Sequence, residues 1–136
     1  MKKKIAILGS TGSIGKSTLS IISKNIKDFE ILLLSTNKNI KEINKQCKKF
    51  KPKFIIISDT DSYKKFVRKN KNNCKVLNTY KDIFKLKKKI DYTISAISGF
   101  DGLEPTLEII PFSKTIAIAN KESLICGWNL IKKKNN

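Results

Sequence analysis

The sequence predicts an α/β, Rossmann-like fold, a mostly parallel sheet flanked by helices. Three observations predict it. Strand and helix patterns alternate from one end of the chain to the other, as parallel strands joined by crossover helices require. The apolar run 5–8 stops at a glycine, and Gly9, Gly12 and Gly15 stand at G-x-x-G-x-x-G spacing before an amphipathic stretch. Residues 29–34 form an almost continuous apolar run, the pattern of a strand buried on both faces. The 136 residues suffice for one domain with its own core.

The first strand is expected at 3–8. Its helix follows at 13–24, with Ile14, Leu19, Ile21 and Ile22 as the buried face. The second strand, 29–34, ends in Ser35-Thr36-Asn37-Lys38-Asn39. A helix at 40–50 stops before Pro52, because the residue preceding a proline disfavours helical backbone. A third strand lies at 54–57, and Asp59 is placed to cap a helix at 62–69. A polar turn at 70–73 leads to a short strand at 75–77 and a short helix at 80–87. The run Lys87-Lys88-Lys89 suits the negative end of that helix. A strand at 91–96 ends in the loop Ser98-Gly99-Phe100-Asp101-Gly102. A helix at 104–110 tolerates Pro105 in its first turn and breaks at Pro111. The last strand, 114–119, ends in Asn120-Lys121-Glu122-Ser123. The domain is drawn at 1–131, with 132–136 as a basic, frayed tail.

A strand that feeds a glycine turn into a helix leaves the first helical N–H groups unpaired at the positive end of the dipole. That is a ready anion site. Three readings of the turn compete. One is a dinucleotide fold; its usual fingerprint is G-x-G-x-x-G, and the longer first gap here is a variant associated with NADP enzymes. Another is a P-loop, because Gly15-Lys16-Ser17 matches the end of G-x-x-x-x-G-K-[ST], although Ser10 stands where the first glycine belongs. The third is a βα turn that binds nothing.

The end of the second strand bears on the cofactor. NAD-binding units place Asp or Glu there for the ribose 2′-hydroxyl. Here Lys38 stands among small polar groups, which suits a 2′-phosphate and favours NADP; the alternative is one of many lysines in a solvated loop. The Asn120–Ser123 stretch also lies on the ligand edge. Lys121 could hold a substrate phosphate or a developing oxyanion, and Asn120 cofactor oxygens. A helix start, with Asn120 as cap and Glu122 in the first turn, explains the same residues.

The net charge of +18 invites a nucleic-acid reading. The cations are spread over every expected helix, however, and Arg68 is the only arginine, whereas bidentate phosphate and base contacts favour Arg. A basic binding module stays as the non-enzymatic alternative, without specific nucleic-acid recognition. Cys47, Cys74 and Cys126 show no paired spacing, which argues against a disulfide framework or a zinc site and fits a reducing compartment. The absence of histidine excludes histidine acid–base chemistry and ligation within this chain. Lys2, Lys3 and Lys4 precede an apolar run too short for a signal core or a membrane span. No membrane partner and a cytoplasmic location are therefore expected; a plastid location stays open if the N-terminus is processed.

Two stretches together, Leu8 to Gly15 and Ala119 to Leu124, resemble the 1-deoxy-D-xylulose 5-phosphate reductoisomerase family. Ser98-Gly99 and Pro105-Thr106-Leu107 fit the same pattern. The resemblance covers essentially this whole chain but only the N-terminal part of the family. It implies a conversion of 1-deoxy-D-xylulose 5-phosphate, a phosphorylated sugar, into 2-C-methyl-D-erythritol 4-phosphate in non-mevalonate isoprenoid biosynthesis. The carbon skeleton is rearranged and then reduced with NADPH, with Mg or Mn holding the substrate oxygens. It also implies a homodimer at full length.

Carried over by position, the resemblance places Gly9, Thr11, Gly12, Ser13 and Ile14 at the cofactor phosphates and Asn37, Lys38 and Asn39 at the 2′-phosphate end. Asn37 stands where the family often has glycine. Asn120 and Glu122 would help hold the cofactor, and Lys121 would reach the substrate. The family's metal-binding carboxylates, lid and C-terminal helical region follow the Asn-Lys-Glu-Ser stretch and are absent here. No catalytic residue and no metal ligand is therefore expected in this chain. NADPH binding without turnover by the chain alone is the resulting expectation.

Overall fold

A computed structural model describes residues 1–136. Its strands are β1 (Lys3–Leu8), β2 (Phe29–Thr36), β3 (Phe54–Ile57), β4 (Lys75–Leu77), β5 (Ile90–Ser95) and β6 (Ser113–Ile118). They form one sheet in the order β4-β3-β2-β1-β5-β6, and every pairing is parallel. The helices are α1 (Ser13–Lys24), α2 (Ile40–Phe50), α3 (Thr60–Lys69), α4 (Leu103–Ile109) and α5 (Lys121–Asn135). A 3-10 stretch, Tyr80–Leu86, links β4 to β5.

The strand order sets the site. From β1 the chain moves outward through β2, β3 and β4, then returns to lay β5 on the other side of β1. The loops after β1 and β5 therefore diverge above the sheet, and ligands of open α/β folds bind at such a switch point. Two apolar cores hold the sheet from either side. One packs Ile5, Ile7, Ile31, Leu34, Ile55 and Ile57 against Leu19 and Ile22 of α1, Ile43 and Cys47 of α2 and Phe66 of α3. The other packs Ala6, Leu8, Leu32, Leu33 and Ile56 against Ile83, Leu86 and Ile109. All four residues 31–34 of β2 are buried, and each such leucine contributes ~1.5–3 kcal/mol of hydrophobic stabilisation.

Several boundaries differ from the sequence expectation. The sheet is wholly rather than mostly parallel. β2 runs on through Ser35 and Thr36, because the Ser35 and Thr36 backbones still pair with β3. In α1 the buried stripe is Gly15, Leu19 and Ile22, while Ile14 and Ile21 are exposed. At 3.6 residues per turn the latter two sit about 100° around the helix from that stripe. Residues 132–136 do not form a separate frayed tail: α5 continues through Lys132, Lys133 and Lys134 to Asn135. Gly127 is buried inside α5, where a Cβ would collide with the Leu103 side chain, so it lets α5 lie close on α4. The three cations then sit in the last turn, where the helix dipole favours them.

Candidate nucleotide-binding cleft

The turn after β1 is built so that its backbone faces outward. Gly9 has φ +77°, a left-handed conformation natural to glycine, and a Cβ there would stand 2.9 Å from the Ala96 carbonyl oxygen. Gly15 lies against the turn itself, where a Cβ would come within 2.6 Å of Ser10 Cα. These two glycines serve the fold. Ser10 is fully buried and locks the turn down: its hydroxyl donates to Gln46 Oε1 at 2.7 Å, and Gln46 Nε2 donates back to the Ser10 carbonyl at 2.9 Å. Ser35 holds the other side, its Oγ accepting the Gly9 N–H at 2.8 Å and the Tyr80 hydroxyl at 2.8 Å. Thr11 and Thr36 pair through their hydroxyls at 2.7 Å.

Gly12 differs from its neighbours. Its φ of −78° and ψ of 176° are open to any residue, and a Cβ would meet only the Gly9 carbonyl oxygen at 3.6 Å. Packing does not demand glycine here. Gly12 is the N-cap of α1 and supplies no capping side chain. The N–H groups of Ser13, Ile14 and Gly15 find no acceptor within the chain. No acidic residue occupies the first turn of α1. These are unpaired donors at a positive helix end with no acidic side chain in its first turn, an arrangement that fits the phosphates of a dinucleotide.

In front of this turn lies a cleft of about 490 Å³. Gly9, Thr11, Gly12, Thr36 and Asn37 line it from the β1 and β2 ends, and Ala96, Ile97, Ser98 and Asp101 from the loop after β5, with Ser58 and Tyr80 completing the lining. The sequence reading found the glycine turn and Asn37. It missed Thr36, Ser58 and Tyr80 as cleft residues, and Ser35, which is buried behind the cleft and holds Gly9 and Tyr80. Tyr80 carries no local motif; burial pushes its phenol up to about 12, against the opposing pull of its hydrogen bond to Ser35, so it stays a neutral donor.

The residues expected at the 2′-phosphate end are exposed together at the end of β2: Asn37, Lys38 and Asn39. Asn37 Oδ1 accepts the Ser58 hydroxyl at 3.1 Å. Asn39 is the N-cap of α2, its Oδ1 accepting the Glu42 N–H at 3.1 Å, so one of its polar atoms is already committed. Lys38 has no acidic partner within ion-pair distance.

Asn120 is buried, and its whole side chain is in use. Its Oδ1 accepts the Ser123 N–H at 2.8 Å; its Nδ2 donates to the Ile97 and Gly99 carbonyls. The helix-cap reading of this stretch therefore holds, and Asn120 reaches the cleft by fixing the loop that forms its far wall. Lys121 is exposed and Glu122 half-buried in the first turn of α5. Lys16 belongs to α1 and lines a side groove with Glu42 and Gln46, away from the turn, as a P-loop lysine would not. No three Asp, Glu, Cys or His side chains gather in the chain in a way that could hold a metal ion. No helix is long and apolar enough to cross a membrane.

Residues 5–127 match the family model for 1-deoxy-D-xylulose 5-phosphate reductoisomerase. Among curated relatives, the reductoisomerase of Pelagibacter ubique (strain HTCC1062) is 57% identical over 135 residues, covering 96% of this chain and 35% of the relative. The structure is similar to the Zymomonas mobilis reductoisomerase solved with NADPH, with a TM-score of 0.88 and 30% identity over 98% of this chain and 36% of that one. It is equally similar to a reductoisomerase solved with NADPH, fosmidomycin and magnesium, at TM-score 0.88 and 31% identity, covering 98% of this chain and 34% of that one. The chain thus spans about a third of the length of these relatives. It belongs to the 1-deoxy-D-xylulose 5-phosphate reductoisomerase family.

Proposed function

We propose that this chain is the NADPH-binding part of a 1-deoxy-D-xylulose 5-phosphate reductoisomerase. The observation that carries the proposal is Gly12, a glycine the fold does not need, standing before three unpaired helix N–H groups at the switch point of the sheet. When bound, NADPH supplies a hydride for reduction. Ser13, Ile14 and Gly15 donate their N–H groups to its pyrophosphate, and Thr11 and Gly12 bound the same space. Lys38, with Asn37 and the free amide of Asn39, receives the 2′-phosphate, where an acid would favour NAD instead. Asn120 holds the Ile97–Gly99 loop in place, and Glu122 lies beside that loop's anchor.

Lys121 is proposed to reach the phosphorylated sugar substrate. The activity of the family, the metal ion and the pairing of two copies belong with the remaining two thirds of the relatives' length, and no step of the reaction is assigned to residues of this chain alone. The relatives' complexes with NADPH support the reading, as does the missing acid at the end of β2. Titration of the chain with NADPH, NADH and ATP by calorimetry tests it. Saturable NADPH binding, weaker for NADH, is expected. Binding of ATP with no response to NADPH would overturn the proposal.

A further inference from the structure

The sheet edge opposite the cleft carries a second set of reactive groups. Cys47, late in α2, and Cys74, just before β4, face each other with their sulfur atoms 4.0 Å apart. Both line a cavity of about 600 Å³ with Lys48, Lys51, Lys53 and Lys71. Of these lysines only Lys53 has an acidic partner, Glu30 at 2.7 Å. Cys47 is buried in the core beside α2, whereas Cys74 is partly exposed to the cavity. One thiol is thus open to a reagent and the other sits behind it, and the lysines give the entrance a positive field.

The two thiols differ in the way such chemistry needs. The hydrogen bond between Cys74 and Cys47 outweighs burial at Cys74 and, helped by the Asn70 side chain, brings that thiol down to about 7. The same contact, with burial, pushes the Cys47 thiol up. A thiolate is the nucleophile in exchange, and a thiol with a pKa near ambient pH attacks best.

We propose that Cys74 is a thiol–disulfide exchange site for anionic small-molecule disulfides, and that Cys47 resolves the adduct into an internal Cys47–Cys74 disulfide. In the first step the Cys74 thiolate attacks one sulfur of the disulfide RSSR. A Cys74–SR bond forms, the S–S bond of RSSR breaks, and RS⁻ leaves. Cys47 then gives up its proton, attacks Cys74 Sγ, and expels a second RS⁻. Two protein thiols are oxidised, one RSSR is reduced, and the two protons end on two RSH. The lysines select reagents that carry carboxylates. The site lies at the strand N-termini, away from the nucleotide cleft.

The test uses the 136-residue chain in a Cys126→Ser background, which removes the exposed third thiol. Oxidised glutathione is added at neutral pH, and intact mass and peptide mapping follow the products. A transient glutathione adduct on Cys74 is expected, then a Cys47–Cys74 cross-link with loss of two hydrogens. Cys47→Ala, which keeps the core position apolar, stops at the adduct, and Cys74→Ser takes no glutathione at Cys47. Glutathione reacts a few-fold faster than an uncharged disulfide at low salt, and the gap closes as salt is raised. An adduct that forms first on Cys47, a Cys74 adduct that persists in the presence of Cys47, or no reaction at Cys74 would each overturn the proposal. The cross-link is read on the chain with both cysteines present, so misfolding of a variant does not decide the result.

Discussion

Four of the five helices, all but the short α4 that continues a 3-10 turn, start afresh at the same edge of the sheet, yet they treat their first N–H groups in two ways. α2, α3 and α5 are closed by their own side chains: Asn39 accepts the Glu42 N–H, Asp59 the Ser62 N–H at 3.0 Å, and Asn120 the Ser123 N–H. α1 begins at Gly12 with no cap at all. A capping side chain typically contributes ~1 kcal/mol to helix stability. The domain takes that gain at three starts and forgoes it at the one facing the switch point. An anion and a cap compete for the same donors, so the start without a cap is the one available to a ligand. The glycines of the turn divide on the same line: Gly9 and Gly15 are required by packing, and Gly12 is not.

The largest expected effect breaks the contrast directly. Gly12→Asp supplies the missing cap and puts a carboxylate where the phosphate belongs. NADPH affinity should fall about a hundredfold, ~2.7 kcal/mol, while stability holds or rises by a few tenths of a kcal/mol. Calorimetry and thermal melting measure the two on the same sample; loss of both together would mean that the fold, and not the ligand, needs Gly12.

Asn120→Ala opens a closed start. It removes the cap and both donors to the Ile97 and Gly99 carbonyls, and stability should drop by about 1–3 kcal/mol in denaturant titrations. Asn120→Asp keeps the acceptor and loses the donors, so it should recover only part of that loss.

Lys38→Ala leaves every helix start as it is. Affinity for NADPH should fall about fivefold, ~1 kcal/mol, with NADH affinity unchanged, if this exposed cation meets the 2′-phosphate. Equal losses for both cofactors would remove Lys38 from that role.

The smallest effect is a matter of pH. Hydrogen bonds from the Ser62 hydroxyl and N–H hold the Asp59 carboxyl below the usual carboxylate range, with Lys38 and Lys65 adding attraction. A folded-state pKa below the unfolded value gives stability that is complete above the ordinary carboxylate range, near 4, and lost as pH falls through the depressed value. Asp59→Asn should therefore lose this small contribution at neutral pH and converge with the parent chain below pH ~4, which flattens the acid limb of a stability–pH profile.

Much of this contrast was legible in the sequence because helix starts are local. Asp59 and Asn120 carry cap chemistry three residues before their partner N–H groups, and the glycine spacing announces a turn. β2 reads clearly because burial on both faces leaves no polar alternation. What the sequence could not show is long-range. Gln46 clamps Ser10 from 36 residues away, and Tyr80 reaches Ser35 from 45; neither has a local pattern. Ile14 and Ile21 look like core residues by type, but the stripe is fixed by Gly15, whose missing side chain lets α1 lie on the turn. Gly127 has no local signal for a related reason: its role is set by Leu103 on another helix.

The most direct test of the central claim is an amide NMR titration with NADPH. The largest saturable shifts should fall on the N–H groups of Ser13, Ile14 and Gly15, the donors α1 leaves unpaired. Larger shifts at the capped starts, at Ser62 or Ser123, or none at α1 under saturating NADPH, would contradict the account.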